Sequence, residues 1–261
     1  MNILQTLADS ARQRVQEARQ GQPLEAVREA ALALPKGRDR LRTALCGDDL
    51  ALICEIKRAS PSKGIIVEDF PYRDIAADYE AGGAAAISVL TEPTRFLGSD
   101  GYLRDLRGRT ALPLLRKDFT VDEYQLYEAR LLGADAVLLI VALLDDATLF
   151  RFLHICDSLG LSALVEAHDG AEVDRALAAG ATIVGVNNRD LRTFAVDIGT
   201  CLRLRDRVPP TVAYVAESGI STAEDLRRLR QAGVDAALIG EALMRAPDRR
   251  AVLAALREAC V

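Results

Sequence analysis

The stretch Gly133-Ala134-Asp135-Ala136-Val137-Leu138-Leu139-Ile140-Val141 decides how the whole chain reads. Its glycine suits a helix C-terminal cap, where positive φ turns the chain, and the apolar run after it reads as a strand. The same phrase recurs at Gly82-Gly83-Ala84, Gly160-Leu161-Ser162, Gly180-Ala181-Thr182 and Gly233-Val234-Asp235. Counted along the chain, β-rich apolar runs stand at 52–57, 84–90, 112–117, 136–141, 162–166, 183–187, 212–217 and 236–240. Stretches such as 122–132, 145–159, 171–179 and 222–232 separate them. These carry apolar residues three and four apart, with Asp, Ser or Thr near their starts, and predict helices. Strict alternation requires parallel pairing through right-handed crossovers, and eight such units close a (βα)8 TIM barrel of the α/β class. An open doubly wound sheet is the alternative, although no GxGxxG follows the first run.

Residues 1–49 fall outside the repeat. Spacing there predicts helices over 3–18 and 24–33 and a short third over 38–44. This gives an N-terminal helical extension packed on a barrel of residues 50–261, as one domain overall.

The chain has 261 residues, half of them hydrophobic and 27% charged, with a formal net charge of -5. That composition excludes disorder and argues against nucleic-acid or anionic-membrane partners, so any anionic ligand must meet local cations. No signal-like or membrane-length apolar run is present, and the cytoplasm is the expected compartment. Five scattered cysteines without CxxC spacing argue against disulfides and structural zinc, and predict packed, reduced thiols. His154 and His168 are too few and too far apart for a metal cluster, and neither reads as a ligand.

In a barrel of this kind the chemistry gathers where strands end and βα loops begin. The runs end in Glu55-Ile56-Lys57, Arg116-Lys117-Asp118, Glu166, Asn187-Asn188-Arg189, Glu217-Ser218-Gly219 and Gly240-Glu241. Period two puts Glu55 and Lys57 on one face. A solvated charge explains any single one, but six strand ends repeating the pattern predict a shared polar mouth. The loops at Ser218-Gly219 and Gly240-Glu241 suit a phosphate. Glycine admits close approach of backbone N–H groups, and a following helix N-terminus adds partial positive charge. Lys57 stands on the strand next to the last one and can add a charge.

These words resemble the indole-3-glycerol-phosphate synthase family. The match runs through CEIKRASPSKG (54–64), LTEP (90–93) with Phe96 and Gly98-Ser99, LRKDF (115–119), VE (165–166), GVNNRDL (185–191), AESGI (216–220) and IGEALM (239–244). The resemblance implies a (βα)8 barrel with an N-terminal helical extension. It implies ring closure of 1-(2-carboxyphenylamino)-1-deoxyribulose 5-phosphate, with decarboxylation and dehydration, in tryptophan biosynthesis. It calls for no cofactor and no metal. It implies catalytic roles for Lys117 as general acid and Glu166 as base in the dehydration. Glu55 and Asn187 hold substrate and orient Lys117, while Lys57 serves the substrate's anionic groups or a second proton transfer. The nearby cations Lys57 and Arg189 are expected to lower the Lys117 pKa. Arg189 and Glu217 complete the polar mouth, and Pro61, Phe96, Phe119 and Leu191 form the apolar wall. The 58–67 segment, with Ser60, reads as a lid. Ser218, Gly219, Gly240 and Glu241 take the phosphate, Glu241 through its backbone N–H with the side chain turned away.

Two other readings stay open. A related phosphate barrel such as phosphoribosylanthranilate isomerase would need a Cys and Asp pair, and Cys54 alternates out of phase with Glu55 and Lys57. A non-catalytic phosphometabolite-binding barrel would keep the glycine loops without Lys117 and Glu166. The partner is a phosphorylated small molecule; the sequence does not address association with other pathway enzymes.

Overall fold

The computed structural model describes residues 3–190 and 193–261. Three helices come first, α1 (Ile3–Gly21), α2 (Leu24–Leu32) and α3 (Arg40–Leu45). Next are strand β1 (Ala51–Ile56) and a short antiparallel ribbon of β2 (Ala59–Ser60) and β3 (Gly64–Ile65). Alternation then sets in with α4 (Tyr72–Ala81), β4 (Ala86–Leu90), α5 (Asp100–Arg107), β5 (Leu114–Lys117), α6 (Tyr124–Leu132) and β6 (Ala136–Ile140). It continues through α7 (Asp146–Leu159), β7 (Ser162–Ala167), α8 (Gly170–Ala178), β8 (Ile183–Asn187) and α9 (Gly199–Leu204). The chain ends with β9 (Ala213–Glu217), α10 (Ala223–Gln231), β10 (Ala236–Ile239), α11 (Glu241–Met244) and α12 (Arg249–Arg257). Parallel pairing runs β1-β10-β9-β8-β7-β6-β5-β4, and β4 returns to β1. The eight strands therefore close a barrel, and the open sheet is excluded.

Strand alternation sorts side chains between two cores. Ile53, Leu115, Leu138, Leu164 and Leu238 fill the barrel interior, whereas their neighbours Cys54, Leu114, Val137, Val165 and Ala237 pack against the helices. Burying each Leu or Ile completely is worth about 1.5–3 kcal/mol, which makes a one-residue slip of any strand prohibitive. Gly133 ends α6 at φ 87°, in the left-handed region, and Gly83, Gly160, Gly180 and Gly233 turn with positive φ before their strands as the repeated phrase predicts.

The N-terminal helices engage both ends of this barrel. Leu41 and Leu45 of α3 join the interior cluster. Arg42 N–H donates to Ser162 Oγ at 3.3 Å, at the start of β7, so α3 closes the N-terminal end. Leu4 of α1 joins the same cluster from the opposite mouth, and Arg14 grips Asp118, just past β5, at 2.7 and 3.0 Å.

Two strands begin two residues later than their apolar runs. β5 starts at Leu114 because Pro113 has no N–H to give the ladder, although its carbonyl accepts from Ile87 at 2.9 Å. β4 starts at Ala86 because Ala84 N–H still bonds Tyr79 O at 2.9 Å and finishes α4. Among the described residues no helix is long and apolar enough to cross a membrane.

Candidate active site

A cleft of about 800 Å³ opens at the C-terminal ends of the strands. Barrel closure brings Lys117 from β5 between Glu166 from β7 and Glu217 from β9. Its Nζ lies 3.5 Å from Glu166 Oε2 and 3.3 Å from Glu217 Oε2. Glu55 and Lys57 project from one face at the end of β1 and form an ion pair with each other. Asn187, ending β8, accepts the Arg189 N–H at 3.0 Å through Oδ1, and both residues line the same cleft. Two glycines make room for these carboxylates. A Cβ at Gly185 would stand 2.5 Å or less from Glu217, and one at Gly240 would come 2.5 Å from Glu55 Oε2 and 3.0 Å from Lys57 Nζ.

The electrostatics follow from burial and from this crowding. Burial disfavours the Lys117 ammonium, but Glu217, Glu166 and Glu55 outweigh it and hold Lys117 above its ordinary pKa. The expected lowering by Lys57 and Arg189 is therefore corrected: three carboxylates face Lys117, and Lys57 is paired to Glu55. Burial also opposes ionisation of Glu166, yet Lys117, His168 and Asn187 prevail and bring its pKa down to about 2. Glu217 goes the other way. Burial, only partly offset by Lys117, raises it to about 7, and neither of its carboxylate oxygens receives a hydrogen bond. Glu55 is lowered, since Lys57 and Lys117 overcome its burial. Environments that drive neighbouring carboxyls apart separate proton acceptor from proton holder.

The same cleft is lined by Ser218, Gly219, Gly240 and Glu241. Ser218 takes φ 68°, in the left-handed region that costs a non-glycine residue. Asn188 Nδ2 donates to Ser218 O at 3.1 Å and its Oδ1 accepts from Cys201 N–H at 3.0 Å, so Asn188 holds the loop in place. The helix after Gly219 does not offer the open N-terminus expected. Asp225 Oδ2 already accepts the Ser221 and Thr222 N–H groups at 3.1 and 3.0 Å, as part of the capping box of α10. The start of α11, after Gly240, has no side-chain cap. The Glu241 side chain reaches Arg245 at 3.2 Å and Lys63 of the β2–β3 turn at 3.7 Å.

A model of the indole-3-glycerol phosphate synthase family matches residues 4–256. The chain belongs to this family. It is 55% identical over 256 residues to the indole-3-glycerol phosphate synthase of Ruminiclostridium cellulolyticum, covering 98% of each chain. It is 47% identical over 267 residues to that of Lachnoclostridium phytofermentans, again covering 98% of each. Among solved structures, a 3-hexulose-6-phosphate synthase from Salmonella typhimurium superposes with a TM-score of 0.65 at 16% identity, over 81% of this chain and 98% of that one. A thiamine phosphate pyrophosphorylase from Pyrococcus furiosus gives 0.62 at 19% identity, over 84% and 97%. Those two likenesses show the barrel fold alone.

Against the synthase-family expectations, the structure gathers Lys117, Glu166, Lys57, Glu55, Asn187, Arg189 and Glu217 in one cleft with Ser60, Pro61, Phe96 and Phe119. The rings of Phe96 and Phe119 stand 6.2 Å apart. Leu191 lies outside the described residues. Two neighbours of Lys117 are held in other ion pairs. Arg116 pairs with Asp100 and Glu128 at 2.9 and 2.7 Å, and Asp118 with Arg14. Cys54 is buried in the helix layer, where burial pushes its thiol up and away from acid–base use.

Two features escaped the sequence. Ile3, Leu4 and Leu7 of α1 line the cleft, which makes the extension part of its wall. His168 meets Glu166, its Nε2 3.4 Å from Oε1. Period two from Glu166 to His168 is the signal that could have found it.

Proposed function

We propose that this chain is an indole-3-glycerol-phosphate synthase, closing the ring of 1-(2-carboxyphenylamino)-1-deoxyribulose 5-phosphate with loss of carbon dioxide and water. The observation that carries the reading is one ammonium set between two buried carboxylates, in a single cleft that two glycine-bearing loops also line.

The chemistry uses these parts in order. Loops Ser218-Gly219 and Gly240-Glu241 receive the phosphate through backbone N–H groups, with Lys63 and Arg245 nearby as cations. The aromatic ring lies against Pro61, Phe96 and Phe119, with Leu4 and Leu7 supporting it. As the carboxyl-bearing ring carbon attacks the ketone carbon, Lys117 delivers its proton to the ketone oxygen, which becomes a hydroxyl. The cyclised cation then accepts the electron pair of the carboxylate bond, and carbon dioxide departs. Finally the hydroxyl leaves as water on a second proton while Glu166 removes a proton from the adjacent methylene carbon.

The carboxylates around Lys117 keep it fully protonated at neutral pH, which guarantees the proton but weakens the acid. Glu217, with its pKa raised to about 7, relieves this. When it holds a proton, one of the anions restraining Lys117 is neutral. Lys57 supplies the charge facing the substrate's carboxylate and is the second proton source.

Residues 1–49 are read as part of the same folding unit, a reading supported by the contribution of α1 to the cleft wall. A phosphorylated metabolite as substrate fits a cytoplasmic setting. The test is turnover of the carboxyphenylamino-deoxyribulose phosphate followed by indole fluorescence and released carbon dioxide. Equal amounts of both are expected. Indole absorbance without carbon dioxide, or no turnover, overturns the proposal.

A further inference from the structure

Glu166 is the base in the proposed reaction, yet a carboxylate on a strand end has rotational freedom and two neighbouring acids competing for the same proton. Something must fix which carboxyl is ionised and where it points. One group in the structure touches Glu166 from outside the cleft, and the reaction does not use it. His168 follows β7 two residues after Glu166, is half-buried, and sets Nε2 3.4 Å from Glu166 Oε1. Its other nitrogen, Nδ1, lies 3.0 Å from Glu172 Oε2. The same Glu172 oxygen accepts the His168 backbone N–H at 2.8 Å. Glu172 is itself fixed by the start of α8, where its N–H donates to the N-cap Asp169 at 2.9 Å. The imidazole thus has a carboxylate on each side, hydrogen-bonded to Glu172 through Nδ1 and within ion-pair range of Glu166 through Nε2, with its backbone tied to the outer one.

Resting on the reading of Glu166 as base, we propose that His168, locked by Glu172, is a positioning residue that holds Glu166 ionised and aimed into the cleft, so that the proton shared among the buried carboxyls resides on Glu217. An imidazole between two carboxylates presents an N–H to each of them only when it carries two protons. The charged groups around it are consistent with that state. Glu166 and Glu172 flank it directly, Lys117 stands on the far side of Glu166, and Glu217 and Glu55 lie beyond Lys117. Burial works against the imidazolium, but the contacts to Glu166 and Glu172 prevail and raise it to about 10. This is the arrangement by which outer partners orient a reacting side chain in many sites.

The chain has two histidines, so an imidazole 15N spectrum holds two ring systems, and His168→Gln identifies the His168 signals by their loss. In the wild type the His168 ring is expected to stay doubly protonated at pH 8, against an ordinary imidazole value of about 6.5. Glu172→Gln is expected to bring its midpoint down by about one pH unit or more. A neutral His168 ring at pH 8 overturns the inference whether or not the enzyme turns over. In kinetics, His168→Gln is expected to lower kcat by about 10-fold or more while KM changes by less than about threefold, and to move the acidic limb of the kcat profile upward. Glu172→Gln leaves His168 still charged across the acidic limb, so in that variant the limb is expected not to rise. A His168→Gln variant with wild-type kcat and an unmoved limb overturns the inference. Failure of the wild type to form indole refutes the proposed reaction instead, and leaves the spectroscopic result to decide the role of His168.

Discussion

Replacing Glu217 with Gln should stabilise the protein, and the gain should depend on pH. In the folded chain the Glu217 carboxyl is raised from 4.5 to about 7, burial being the cause and Lys117 too weak an offset. A group whose folded pKa lies above its unfolded one leaves full stability below the unfolded value and removes it as pH rises through the folded value. At 1.36 kcal/mol for each pH unit between the two values, ionisation of Glu217 costs about 3 kcal/mol at pH 8 and less than about 1 kcal/mol at pH 5. Glutamine keeps the shape and cannot ionise. Thermal midpoints of wild type and Glu217→Gln at the two pH values measure the effect. At about 2–4 °C per kcal/mol for a chain of this size, the variant should melt about 6 °C or more above wild type at pH 8 and within about 4 °C of it at pH 5. Its turnover should fall, since the group lines the cleft beside Lys117. A variant no more stable than wild type at pH 8, or equally stabilised at both pH values, refutes the placement of the proton.

Other outcomes follow from packing. Gly240→Ala puts a methyl against the Glu55–Lys57 pair, 2.5 Å from Glu55 Oε2, and should raise KM by about 10-fold or more in steady-state assays with little loss of thermal stability. Arg14→Met leaves the buried Asp118 carboxylate without its bidentate partner and should cost about 3–5 kcal/mol in urea unfolding, the loss shrinking as the pH falls and Asp118 takes up a proton. Asn188→Ala frees the Ser218 carbonyl and the Cys201 N–H from their shared clasp, and should weaken inorganic phosphate binding, read by calorimetry, by about 10-fold.

The barrel was legible because every strand is announced by an apolar run, and five of the eight also by a glycine ending the helix before it. Lys117, Glu166 and Glu217 were legible because each stands at the end of such a run. Their mutual distances were not, because barrel closure alone sets β5, β7 and β9 around one space. Cation and anion counts taken along the chain therefore gave Lys117 the wrong neighbours. Lys57 looked available to repel it, whereas the β1 backbone places Glu55 beside Lys57 and ties up the charge. The phosphate end misled in a similar way. The helix N-terminus after Gly219 read as open, whereas Asp225 folds back to accept the Ser221 and Thr222 N–H groups, four and three residues before it. His168 escaped because two histidines far apart suggest no metal, and a lone imidazole reveals its partner only when the first turn of α8 brings Glu172 back against it. The role of α1 in the cleft wall rests on contacts between residues more than a hundred positions apart, such as Arg14 with Asp118.

The most direct measurement is a single-turnover experiment with excess enzyme, comparing wild type, Lys117→Ala and Glu166→Gln for indole fluorescence and for carbon dioxide release. Lys117→Ala should bind the substrate within about fivefold of wild type yet lose about 10³-fold or more in both signals, because ring closure precedes both. Glu166→Gln should still release carbon dioxide while indole appears slowly. Lys117→Ala forming product within about 10-fold of the wild-type rate contradicts an acid role for that ammonium.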